Sequence, residues 1–129
     1  MNGKVALDTN IAIAALNGET RVINKLQNAA QVFLPVPVVG ELLFGALNSR
    51  HVETNLPRIQ QLIQESITFE MGSETALLYA KTRMSLKQKG RPIPENDIWI
   101  AASCLEHDIT LITNDTHFKW IEGLTVETG

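Results

Sequence analysis

The chain has 129 residues, 44% of them hydrophobic and 19% charged, enough apolar material for one folded domain and an unsuitable balance for a disordered chain. Eleven Lys plus Arg against fourteen Asp plus Glu give a formal net charge of −3, which excludes a polybasic coat as the means of holding nucleic acid. The single cysteine, Cys104, excludes an intrachain disulfide framework and a cysteine-based zinc site.

Val5-Ala6-Leu7 reads as a short buried strand that ends at Asp8. Ile11 to Leu16 is apolar and closes on the helix-stop pair Asn17-Gly18. Glu19 to Ala30 predicts a helix with Val22, Ile23 and Leu26 on one face, and Gln31 to Leu34 a second strand. Pro37 suits the first turn of a helix running to about Asn48. Leu56, Ile59, Leu62 and Ile63 recur at helical spacing in the segment from Val52 to Gln64, although Pro57 would kink a helix interior. Ile67-Thr68-Phe69 reads as a third strand, and Ser73 as the N-cap of a helix reaching Gln88. After a break at Gly90 to Pro94, Glu95 to Glu106 predicts a helix with Ile98, Ala101, Ala102 and Leu105 inward. Ile109 to Thr113 is the clearest strand, and Leu124 to Val126 an edge strand.

This alternation predicts an α/β fold, a central mainly parallel sheet with helices on both faces in three layers (α/β/α), as a single domain over residues 1–129. Ligands of such sheets collect at the carboxyl ends of the strands, where Asp8 and Asp115 both lie. No charged leader precedes a long apolar run, and no apolar stretch approaches the roughly 18 residues of a membrane span. A cytoplasmic protein without a membrane partner is therefore expected.

Two acids at neighbouring strand ends disfavour each other's ionisation unless a cation compensates. Glu41 stands inside the apolar helical run Val38-Val39-Gly40-Glu41-Leu42-Leu43-Phe44, where an unpaired carboxylate is costly. Asp97 precedes Ile98-Trp99-Ile100-Ala101-Ala102 in the first turn of its helix, where it also complements the helix dipole. As a set, Asp8, Glu41, Asp97 and Asp115 are oxygen ligands of the kind hard cations prefer, Mg²⁺ or Mn²⁺, and no histidine pattern supports zinc.

Four segments in order carry a family resemblance: Asp8-Thr9-Asn10; Glu41-Leu42-Leu43-Phe44-Gly45; Pro94-Glu95-Asn96-Asp97-Ile98-Trp99-Ile100-Ala101-Ala102; and Thr113-Asn114-Asp115-Thr116-His117-Phe118. With them the whole chain resembles the PIN-domain family, specifically the VapC-type toxins of bacterial type II toxin–antitoxin modules. The resemblance implies a PIN-like fold and a Mg²⁺-dependent endoribonuclease in which metal-activated water hydrolyses an RNA phosphodiester. Asp8, Asp97 and Asp115 would be direct ligands, and Glu41 a ligand through water or an orienter of the nucleophile. Thr9 would support the metal site, with Asn10 and Thr113 in the matching motifs. Asn96 and Asn114 either orient ligands or cap. One departure stands out: Pro35, Val36 and Pro37 occupy the turn before the second acid, where a hydroxyl is often found.

The resemblance further implies a cognate antitoxin that holds the enzyme inactive, gripping the apolar helices of positions 19–64 and placing a basic side chain in the acidic site. It implies a homodimer, with the helix near Ser73 as the seam, and a higher toxin–antitoxin assembly. Lys81, Arg83, Lys87, Lys89 and Arg91 form a basic run that reads either as RNA contacts or as a solvated helix face. Trp99 and Phe118 read as core or rim packing, His117 as a surface histidine beside a helix start or a phosphate contact, and Cys104 as a buried helical cysteine. An aspartate-nucleophile phosphatase would need an acid where Asn10 stands. A structure-specific DNA nuclease shares the metal logic but needs extra clamping elements. A module with an inactive site, binding only nucleic acid or antitoxin, is the non-enzymatic alternative.

Overall fold

A computed structural model describes residues 3–129. Strands β1 (Lys4–Leu7), β2 (Gln31–Phe33), β3 (Thr110–Ile112) and β4 (Val126–Glu127) form a sheet of order β2-β1-β3-β4. Every neighbouring pair in it is parallel. Successive strand residues point to opposite faces, and Ala6 with Leu7, like Leu111 with Ile112, are all buried. Both faces of the central strands are therefore covered, as the alternating pattern predicted. The core is mainly aliphatic, with Phe33 and Phe118 its buried aromatics among the described residues.

The covering helices are α1 (Thr9–Leu16), α2 (Thr20–Gln27), α3 (Val36–Leu47), α4 (Val52–Glu65), α5 (Ser73–Gln88) and α6 (Glu95–His107). Pro37 sits in the first turn of α3, as expected. Pro57 lies inside α4, which nevertheless runs through it. Among the described residues no helix is long and apolar enough to cross a membrane.

Five local expectations need correction, the first being the edge strand, which falls at Val126–Glu127 rather than Leu124–Val126. Helix α2 stops at Gln27, because the Ala30 N–H turns to the Gly3 carbonyl (2.7 Å) and opens the β1–β2 pairing. Ile67-Thr68-Phe69 is not a strand: Ile67 makes one parallel bridge to Phe33, its N–H donating to the Val32 carbonyl at 3.0 Å. The chain then leaves the sheet edge, and the Phe69 ring stacks between Phe33 (4.6 Å) and His107 (3.7 Å). Ser73 is the first residue of α5 rather than its cap; Gly72 holds that place, its N–H donating to the Thr75 hydroxyl at 3.1 Å. Ile109 lies just outside β3, because Asp108 ends α6 in the left-handed region (φ 52°) and the Ile109 N–H still serves the Cys104 carbonyl.

The strand order places the site. The chain runs outward from β1 to β2, then returns to the other side of β1 for β3. A crevice opens at such a reversal, outside the carboxyl ends of the two inner strands. Leu7 pairs with Ile112, so Asp8 and Thr113 leave those strands side by side.

Candidate active site

Asp8 is held from two directions. It is the N-cap of α1, its Oδ1 accepting from the Ile11 N–H at 2.9 Å. Its Oδ2 accepts from the Thr113 hydroxyl across the strand pair. Thr113 Oγ1 in turn accepts from the Asp115 N–H at 3.0 Å, so one buried hydroxyl ties the two strand-end acids together. Burial pushes the Asp8 carboxyl above its ordinary range; the bonds from Thr113 and Ile11 oppose that rise, and the charges of Asp115 and Glu41 reinforce it.

Asp97, in the first turn of α6, faces the same crevice half-buried. Burial raises its carboxyl too, with His117 opposing by charge and hydrogen bond and with Asp115 and Glu41 adding repulsion. Glu41 comes from the middle of α3, and its Oε1 accepts from Asn96 Nδ2 at 3.4 Å. The four acids thus arrive from four places: the end of β1, the interior of α3, the start of α6 and the loop after β3. With Thr9, Asn10, Pro94 and Asn96 they line one cleft of about 340 Å³.

Thr9, on the wall of that cleft, has a buried hydroxyl oxygen without a hydrogen-bond partner among the described residues. An unsatisfied oxygen among raised carboxylates fits a cation with its water shell, which would satisfy the hydroxyl and offset the repulsion together. The acids and hydroxyl lining the cleft offer oxygens, which suits Mg²⁺ or Mn²⁺, while His117 stands with Asp97 and Asp115 in a group whose potential ligand atoms lie within 4.8 Å of one another.

The remaining expected residues divide. Asn10 is exposed on the cleft wall, and Asn96 orients Glu41. Asn114 turns elsewhere, its Oδ1 accepting from the Gly129 N–H at 3.0 Å. The basic run splits over several faces. Arg83 pairs with Glu95 (3.3 Å) and donates to the Tyr79 hydroxyl, beside the stacked rings of Tyr79 and Trp99. Arg83 and Lys87 line a separate groove of about 380 Å³ with Pro92, Ile93 and Glu95, next to the cleft wall formed by Pro94 and Asn96. Lys89 pairs with Glu122 and Arg91 stacks over Trp120 (4.7 Å), while Lys81 borders another cavity beside Leu105 and Glu122. Phe118 and Cys104 are buried as expected, and burial pushes the Cys104 thiol up to about 12, which makes it inert.

Sequence reasoning undervalued His117. Its Nε2 lies 2.9 Å from Asp97 Oδ2 and its Nδ1 3.9 Å from Asp115 Oδ1. The one signal in the chain was its place two residues after Asp115, and nothing local reveals that a ring there faces α6.

Comparison with known proteins identifies the family. The PIN domain family model matches residues 5–124. Ribonuclease VapC1 of Haemophilus influenzae strain R2866 is 30% identical over 113 residues, covering 84% of each chain. Ribonuclease VapC2 of Rickettsia felis is 29% identical over 126 residues, covering 94% of each. Among solved structures, VapBC2 from Rickettsia felis bound to a promoter DNA fragment contains a chain that superposes with a TM-score of 0.92, at 27% identity and 98% coverage of both. VapBC-1 from nontypeable Haemophilus influenzae gives 0.88 at 28% identity and 97% coverage of both. A match across nearly the whole length, a sheet reversal with its acids at the strand ends, and relatives aligned over most of the chain agree: the protein belongs to the PIN-domain family, in its VapC-type branch.

Proposed function

We propose that this protein is a metal-dependent endoribonuclease toxin that hydrolyses RNA phosphodiester bonds and is held inactive by a cognate antitoxin. The observation that carries the reading is the convergence of Asp8, Glu41, Asp97 and Asp115 on one cleft at the switch point of the sheet. Asp8, Asp97 and Asp115 would hold the ion, Mg²⁺ or Mn²⁺, with Glu41 reaching it through water or orienting the nucleophile. When bound, such an ion lowers the pKa of a coordinated water, polarises a phosphate oxygen and stabilises developing charge.

The chain's own groups prepare the rest. Thr113 fixes the Asp8 carboxylate and the backbone of Asp115 relative to each other, which preorganises the two strand ends. Asn96 steadies Glu41. Arg83 and Lys87, in the groove beside the cleft, are the best-placed cations for flanking phosphates.

The relatives named VapBC are toxin–antitoxin complexes, and this surface suits the same arrangement. Phe44 and Leu47 on α3 are 67% and 60% exposed, and Ile13 on α1 is exposed as well. Ile13, Glu41, Leu42 and Gly45 line a further cavity of about 280 Å³, so Glu41 belongs both to the acidic cleft and to this apolar groove. An antitoxin segment lying there would deliver a basic side chain to the acids. Leu77 and Met84, exposed seven residues apart on α5, present one face for a homodimer seam.

The test is cleavage of defined RNAs by purified protein with Mg²⁺ or with chelator, alongside Asp8→Asn. Cleavage that needs Mg²⁺ and vanishes in the variant supports the reading. Equal cleavage by the variant, or no cleavage of RNA mapped from expressing cells, refutes it. Single-stranded and flapped DNA in the same assay would expose a DNA nuclease.

A further inference from the structure

The short 3₁₀ helix Thr116–Trp120 is anchored by Phe118, which is wholly buried. Beside that anchor the preceding ring, His117, lies against Asp97 and Asp115, tilted against Phe118 at 4.8 Å and against Trp120 at 6.4 Å. A carboxylate only accepts, so the 2.9 Å contact has Nε2–H donating to Asp97 Oδ2. The other nitrogen faces Asp115 at 3.9 Å, and the ring is four-fifths shielded from solvent. No other side chain forms a hydrogen bond to the Asp97 carboxylate among the described residues.

We propose that His117 is a positioning residue of the metal site. By committing Oδ2 of Asp97, it leaves Oδ1 as the oxygen offered to the ion and holds the α6 acid beside the β3 acid against their mutual repulsion. With Nε2 donating to the carboxylate, the ring orients a ligand, and Nδ1, facing Asp115 at 3.9 Å, is the nitrogen that a direct-ligand reading would need. Partners of this kind, one bond removed from the ion, typically carry roughly 10–100-fold in metal affinity. The inference rests on the metal-dependent reading of the cleft.

Calorimetric titration of Mn²⁺ into the wild-type protein, His117→Gln and His117→Leu tests it, with chelator-treated melting curves as the control for folding. Glutamine keeps a donor at the reach of Nε2 and leucine keeps only bulk. The expected result is affinity within about threefold of wild type for Gln and a loss of roughly 10–100-fold for Leu. Unchanged affinity in His117→Leu overturns the proposal, as does equal loss in both variants. Electron spin echo spectra of Mn²⁺ bound to the wild-type protein give an arm that needs no variant to fold: a directly coordinated ring nitrogen overturns the positioning role. A wild-type protein that binds no Mn²⁺ overturns the metal reading itself, which separates the two failures.

Discussion

Asp8 shows how a site residue works against its own fold. Its folded-state pKa is raised, so the folded protein holds the proton more tightly than the unfolded chain, and ionisation costs stability. The cost is absent below the ordinary value of 3.8, grows as pH climbs to the raised folded-state value, and is complete above it. Asp97 contributes with the same sign. Metal-free Asp8→Asn is therefore expected to be more stable than wild type at pH 7, by on the order of 1 kcal/mol. The gap should close below pH 3.8, and urea unfolding across pH in chelator reads both. A variant less stable at pH 7 would show that the Thr113 and Ile11 bonds outweigh burial.

At the scale of elements, two features of the helices are open to measurement. Thr75 is fully buried at the start of α5 and bridges the Gly72 N–H to the Glu106 carboxylate on α6. Thr75→Val keeps the volume but leaves both partners unmet, and should cost about 1–3 kcal/mol in denaturant unfolding. Pro57 lies inside the continuous α4, where its missing N–H cannot serve the Glu53 carbonyl. Pro57→Ala restores that bond, while the looser unfolded chain takes back part of the gain. A net stabilisation of about 1 kcal/mol is expected, read as a higher midpoint at unchanged m-value. Of these features, Pro57 was visible in the chain as an anomaly. Thr75 was not, because its second partner lies 31 residues away and meets it only when α5 packs on α6.

For the whole molecule, charge is the instructive quantity. Setting the four cleft acids aside moves the formal charge from −3 to +1, so the acidic balance belongs to the site and not to the surface at large. A cation that binds only the folded state should stabilise it by about 2.7 kcal/mol at a hundred times its Kd. Adding Mg²⁺ to chelator-treated wild type should therefore raise Tm, and Asp8→Asn should respond far less. The apolar face predicts a separable effect. Phe44→Asp is expected to weaken antitoxin capture, measured by co-purification, while RNA cleavage by the free protein is retained, since Phe44 lies outside the acidic cleft.

Much of this protein is written locally. Short apolar runs ending in acids marked β1 and β3, and helical spacing located the six helices within a few residues. The four acids stood out because carboxylates in apolar surroundings need a reason. What the chain could not show is decided across space. Ile67-Thr68-Phe69 has strand composition, yet it makes only one bridge to the edge, and Phe69 stacks between Phe33 and His107. The basic residues cluster in sequence, but the turn of α5 and the bend at Gly90 to Pro94 send them to different faces. His117 reads as a surface histidine until the buried Phe118 turns its ring onto Asp97, 20 residues away. Residue types and spacing determined that an oxygen-rich site existed; strand order and register decided which groups meet there, because contact between distant residues is a property of packing.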